Sequence, residues 1–246
     1  MKTKNRPITK TKTFTKAILG EFIATFILVF CGTGAIIIDQ QTQGGVTHVG
    51  VAMTFGLVVM CLIYAFGTIS GAHMNPAVSI AFVLARRLQK GQLLRYIGSQ
   101  LFGAFVASIT LKLLFPSNLV LGATLPHGSA MQSFLLEIIL TFFLMLTVLH
   151  LVYQKFSVES GLIGVVVGAV VGLEALFAGP ISGASMNPAR SFGPAVVSGQ
   201  LGDLWIYLLA PTLGAALAVP VARFFHPKQD TPSESVYEPI LEEELR

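Results

Sequence analysis

Two ten-residue peptides, 112 positions apart, hold the most concentrated chemistry in this sequence. They read Ser70-Gly71-Ala72-His73-Met74-Asn75-Pro76-Ala77-Val78-Ser79 and Ser182-Gly183-Ala184-Ser185-Met186-Asn187-Pro188-Ala189-Arg190-Ser191, and eight of the ten positions match. Proline suits the first position of a helix, where its missing N–H costs nothing, so Pro76 and Pro188 mark helix starts. Asn75 and Asn187 then fall at the N-cap, with the side-chain oxygen accepting from first-turn amides. That leaves their NH₂ groups free to act as donors toward a lumen. Neither asparagine titrates, so the pattern points to hydrogen bonding with a neutral polar molecule rather than proton transfer. Arg190 adds a fixed charge in an apolar setting with no acidic neighbour in sequence. Intramembrane charges normally face a pathway or a partner. No catalytic cluster, phosphate loop or metal-ligand spacing is present, so no enzyme activity, cofactor or metal is expected. Cys31 and Cys61 form neither a disulfide framework nor a thiol metal site.

The setting of these peptides is a membrane. Of 246 residues, 53% are apolar and only 11% charged, against roughly 25% charged in a soluble domain; the mean hydropathy is +0.74. This excludes a solvated globule and a nucleic-acid binder, despite the net charge of +4. Lys2, Lys4, Arg6, Lys10, Lys12 and Lys16 crowd the start of the chain beside an apolar run at 17–38. That run is longer than a signal core and lacks a small-residue cleavage site, so it reads as a retained span. Further spans are predicted at 46–67, 92–115, 131–153, 160–178 and 203–225, six in all.

With six spans, the basic N-terminal tail, Arg86, Arg87, Lys90, Lys155, Arg223 and Lys228 fall on one side. Excess Lys and Arg marks the cytoplasmic face. Both termini are therefore expected inside, with the 116–130 loop outside, in a multi-pass protein of the cell (inner or plasma) membrane.

The matched peptides begin segments too short to cross. A second echo, Glu21-x-x-x-Thr25-Phe26-x-Leu28 and Glu137-x-x-x-Thr141-Phe142-x-Leu144, makes the chain a tandem duplication. Each half holds three spans, an odd number, so the halves are inverted relative to each other. Inverted repeats with short, Gly- and Pro-interrupted segments point to a transport path at the bilayer midplane. Irregular backbone at that depth must be buried in protein or line water. The two half-helix N-termini then meet, and their converging positive dipole ends repel cations and protons. A pair of hairpins that merely fill a bundle fits one Asn-Pro better than two.

The predicted fold is thus an all-α membrane protein of six transmembrane helices plus two re-entrant half-helices. Its parts are a basic tail (1–16), a first repeat (17–115, half-helix 75–85), a connecting loop (116–130), a second repeat (131–225, half-helix 187–197) and a disordered acidic tail (226–246).

The doubled motif, from Gly71 to Val78 and from Asn187 through Arg190-Ser191-Phe192-Gly193 to Pro194, resembles the aquaporin (major intrinsic protein) family over about residues 17–225. Stretches at 122–129, 178–186 and 205–208 are most similar to nodulin-type intrinsic proteins of plants and their bacterial relatives. The resemblance implies a homotetramer in the lipid bilayer, one pore per chain, passing small neutral permeants. It makes Asn75, Pro76, Ala77, Asn187, Pro188 and Ala189 the paired constriction, and Phe55, Ala175, Ala184 and Arg190 a second, outer filter. Strict water channels usually carry histidine at the position of Ala175, and nodulin-type members often carry tryptophan at that of Phe55. A filter with two alanines suits glycerol-type polyols, urea or neutral metalloid acids as well as water.

Glu21 and Glu137 are costly in apolar spans unless hydrogen-bonded. Their symmetric placement and the resemblance favour acceptance of hydrogen bonds from the unwound backbone ahead of each half-helix, with His73 a structural histidine there. Glu174, beside Ala175, is expected to pair with a backbone donor. Three alternatives stand: a strict water channel, a secondary transporter, which needs a titratable midplane group, and a membrane enzyme, which needs convergent catalytic groups.

Overall fold

The computed structural model describes residues 10–154 and 161–227, without the side chains of 10–13. The expected basic tail up to residue 9, Lys155, Lys228 and the acidic tail from 228 onward lie outside the described residues. Eight helices follow one another among the described residues: α1 (Lys10–Gln41), α2 (Thr47–Ser70), α3 (Pro76–Leu84), α4 (Lys90–Leu114), α5 (Ala130–Tyr153), α6 (Ile163–Ser182), α7 (Pro188–Ser198) and α8 (Leu204–Phe225). Six of them, all but α3 and α7, are long and apolar enough to cross a membrane. Large side chains such as Leu57, Leu94, Phe102, Phe143 and Leu173 stay exposed on their outer faces, as a lipid-facing surface requires.

The duplication is carried into the packing. α1 lies along α4 as α5 lies along α8, and α2 packs on α6 across the molecule. Each half-helix packs on the last long helix of the opposite half, α3 on α8 and α7 on α4. Small residues set these crossings. A Cβ at Gly103 would lie 2.5 Å from the Phe22 carbonyl oxygen, and one at Gly214 would overlap that of Ile138, the corresponding pair in the second half. Between α2 and α6, added carbons at Gly56 and Gly168 would each press on the other's carbonyl oxygen, at 2.7 and 2.6 Å. Gly164, Gly168 and Gly172, spaced every four residues on α6, all lie against α2 and form a packing seam.

Several element ends differ from the sequence expectation. α1 begins at Lys10, within the expected 1–16 tail, and runs on past 38 to Gln41. α2 and α6 run on to Ser70 and Ser182, several residues beyond the predicted 67 and 178, and stop where Gly71 (φ 87°) and Gly183 (φ 84°) turn left-handed. α6 passes through Pro180, which reads as a breaker because it removes the N–H that would meet Leu176. His48 Nε2 lies 2.7 Å from that freed Leu176 carbonyl, which offsets the loss. At the other end of the chain, His226, assigned by sequence to a disordered tail, packs its ring 5.0 Å from that of His150 and 5.3 Å from that of Tyr153.

Candidate functional site

The links from α2 to α3 and from α6 to α7 are five-residue unwound strands. Ala72, Met74, Ala184 and Met186 all take left-handed φ values between 40° and 52°. Such conformations cost about 1–3 kcal/mol each and persist only where surroundings over-determine them. Buried carboxylates supply much of that determination. Glu21, fully buried on α1, accepts from the His73 N–H at 2.9 Å, the Met74 N–H at 2.7 Å and the Ser70 hydroxyl at 2.7 Å. Glu137, fully buried on α5, accepts from the Ser185 and Met186 N–H groups and the Ser182 hydroxyl, each at 2.8 Å. The two serine hydroxyls also accept from the amide two residues on, that of Ala72 and of Ala184, at 3.1 Å. Their carbonyls take the hydroxyls of Tyr96 and Tyr207 at 2.8 and 2.7 Å.

Each strand ends in its asparagine. The Asn75 side-chain oxygen accepts from Ala77 N–H at 2.9 Å; that of Asn187 accepts from Ala189 N–H at 2.9 Å and Arg190 N–H at 3.3 Å. Pro76 and Pro188 occupy the first helical position, and Ala77 and Ala189 are fully buried behind them. The amides are not free, as the sequence suggested. Asn75 Nδ2 donates to the Met186 carbonyl and Asn187 Nδ2 to the Met74 carbonyl, both at 2.8 Å. One amide hydrogen on each side thus ties the halves together, and the second hydrogen of each amide is not used in that tie. The reason is proximity: the two helix starts approach so closely that each asparagine reaches the opposite strand.

The four residues expected to form the outer filter come from four places. Phe55 sits midway along α2, Ala175 on α6, Ala184 in the unwound strand and Arg190 in the first turn of α7. Phe55, Ala175 and Ala184 belong to one buried cluster that also holds Met74, Ala77 and Met186. The Arg190 guanidinium lies 5.1 Å from the centre of the Phe55 ring, within cation–π range. Its Nη1 donates to the Gly122 carbonyl at 2.8 Å.

Gly122 was missed by sequence reasoning, which took the 116–130 segment only as a connection. That loop dips inward: Leu121 is fully buried, Gly122 (φ 67°) lies against Thr33, and Thr124 donates to Ser191 at 2.8 Å. Nothing local in the sequence marks this role, since the positive φ and the burial around it exist only in the folded loop. Gln100 on α4 joins the network around Glu21: its Nε2 donates to that carboxylate at 2.7 Å and to Ser79 Oγ at 3.0 Å. His73 Nδ1 lies 3.0 Å from Ser79 Oγ, and its ring stacks on Phe82 at 4.5 Å. Glu174 departs from expectation. Among the described residues no backbone donor reaches it, and its Oε2 is buried without a partner.

Six apolar spans with two half-helices meeting start to start define a membrane-channel fold. Comparison with known proteins agrees. The family model described as "Major intrinsic protein" matches residues 8–221. Aquaporin NIP1-1 of Oryza sativa subsp. japonica is 44% identical over 215 residues, 86% of this chain and 75% of that protein. Nodulin-26 of Glycine max is 40% identical over 203 residues, 82% of this chain and 74% of that one. Among solved structures, the aquaglyceroporin from Plasmodium falciparum matches with a TM-score of 0.79 at 27% identity, covering 88% of this chain and 99% of that one. The chain belongs to the major intrinsic protein family and is a multi-pass membrane protein, a channel rather than an enzyme.

Proposed function

We propose that the chain is a passive pore for water and small uncharged solutes of glycerol, urea or neutral metalloid-acid type, closed to protons and ions. The observation that carries this reading is the meeting of α3 and α7. Two helix N-termini face each other through Asn75 and Asn187, each amide keeping one hydrogen beyond its cross-link. Positive dipole ends on both sides oppose any cation, while a neutral hydrogen-bonding molecule meets no such barrier. Phe55, Ala175, Ala184 and Arg190 form the outer filter in this reading. Arg190 supplies donors for hydroxyl or carbonyl oxygens, Phe55 an apolar wall, and the two alanines the width that a polyol needs.

The same reading makes the chain a homotetramer in the cell membrane, with the 116–130 loop outside and both termini cytoplasmic, as the loop charges favour. Protease added to intact cells should leave both tails uncut; loss of either contradicts the orientation. For permeation, vesicles containing the protein are followed in water, glycerol and urea gradients, with proton and potassium currents recorded in parallel. Fast water and glycerol entry without current is the expected result. Water entry with glycerol excluded supports a strict water channel instead, and a proton-coupled flux supports a transporter.

A further inference from the structure

The Phe55 ring has a seat on the neighbouring helix. Gly32 of α1 faces it so closely that a Cβ at Gly32 would come within 3.0 Å of three ring atoms, Cδ1, Cε1 and Cζ. A second neighbour of the ring is the Arg190 guanidinium, 5.1 Å from its centre. One ring edge thus abuts the α1 backbone, and the missing side chain at Gly32 gives the ring room to lie back toward α1.

The repeat supplies an internal control. By the spacing of the paired glutamates, 116 residues, Gly32 corresponds to Val148; by the spacing of the paired serines, 112 residues, Phe55 corresponds to Val167. Both valines are buried in the main core. At the corresponding positions one half carries two valines, and the other an aromatic ring and no side chain at all. Packing at this density makes such an exchange volume-conserving, and it places the bulky partner on the filter side.

We infer that Gly32 is a positioning residue for solute selectivity: it seats the Phe55 ring against α1 and thereby sets the width of the outer filter. This rests on the reading of Phe55, Ala175, Ala184 and Arg190 as that filter. A methyl at position 32 cannot be absorbed by the ring's edge without moving the ring off α1, which changes its position relative to Arg190, 5.1 Å from its centre, and to Ala175 and Ala184 of the same buried cluster. Alanine is the better helix former, so the local backbone gives no reason for lost function.

The test compares the parent, Gly32→Ala, Phe55→Leu and the double variant, with osmotic water permeability and glycerol uptake measured in the same vesicles. Gly34→Ala, where a methyl would meet only Leu111 Cδ2 at an ordinary 3.5 Å, is the control for an extra methyl on α1. The glycerol-to-water ratio is expected to fall roughly tenfold in Gly32→Ala, as overpacking of this size implies. It should stay unchanged in Gly34→Ala and return in the double variant to that of Phe55→Leu alone. An unmoved ratio in Gly32→Ala, or a double variant as restricted as Gly32→Ala, overturns the inference. If the parent itself excludes glycerol, the proposed permeant range fails and the seat is read on water alone. Water flux lowered by Gly32→Ala and restored by Phe55→Leu then supports it, and any other pattern overturns it.

Discussion

The two halves of the molecule solve one problem with unequal means. Each must hold five residues of unwound backbone at membrane depth and point a helix start inward. In the first half Glu21 gathers four donors: Ser70, the His73 and Met74 amides, and Gln100 from α4. In the second half Glu137 gathers three, from Ser182, Ser185 and Met186. Tyr96 and Tyr207 lie 111 residues apart, and by that spacing the counterpart of Gln100 is Pro211, which has nothing to donate. The second half compensates from outside its own repeat. The loop between the halves sends Thr124 to Ser191 and the Gly122 carbonyl to Arg190. The first strand is thus braced internally, whereas the second is braced by a loop that also holds the arginine. An arginine needs such an acceptor in a low-dielectric site, and only the second half carries one in its motif.

Removing the carboxylates has the largest expected effect. Glu21→Ala and Glu137→Ala each orphan two buried amides, at about 1–3 kcal/mol per group. Both should sharply lower the yield of protein that survives detergent extraction. Glu21→Ala should be the worse, because it also strips Gln100 of a partner. Thermal unfolding in detergent ranks the two, and the reverse order would break the comparison.

Next come the asparagines. Loss of an N-cap costs about 0.5–2 kcal/mol, and here each variant also cuts one tie between the halves. Asn187→Ala should lower the unfolding midpoint more than Asn75→Ala, since Asn187 caps two amides and Asn75 one. Equal shifts would show that the cross-link, not the cap, dominates.

Arg190→Val tests the charged side of the asymmetry. It removes the filter's fixed charge while leaving both helix starts in place. Cation current should rise above background while water flux is retained; an unchanged current would assign exclusion to the helix ends alone. The smallest effect belongs to the matched pair. Tyr96→Phe and Tyr207→Phe each delete one hydrogen bond to a serine carbonyl and should each cost about 1 kcal/mol, alike within error. A large difference in unfolding midpoint would mean that the halves differ beyond Gln100 and the loop.

Much of this was written in the sequence, for a physical reason. Span length, the doubled Asn-Pro and the symmetric glutamates are local patterns with strong constraints behind them: bilayer thickness, proline's fixed φ and the cost of a buried charge. What stayed hidden depends on who meets whom in space. The asparagine amides were read as free because nothing local reveals that each reaches the opposite strand. Glu174 is expected to find a backbone donor, yet its buried Oε2 has no partner among the described residues. Gly122 and Gly32 matter through what a backbone carbonyl or an absent Cβ does for a distant side chain, and no residue type announces that.

The central claim is that two alanines leave the outer filter wide enough for a polyol. Ala175→His tests it most directly, because it adds bulk and a polar edge at one wall while leaving Asn75, Asn187 and Arg190 untouched. Osmotic water permeability and glycerol uptake are measured in one vesicle preparation for parent and variant. The expected result is glycerol entry in the parent and a loss of glycerol flux in Ala175→His far exceeding the loss of water flux. A parent that already rejects glycerol, or a variant that passes it as fast as the parent, would contradict the account.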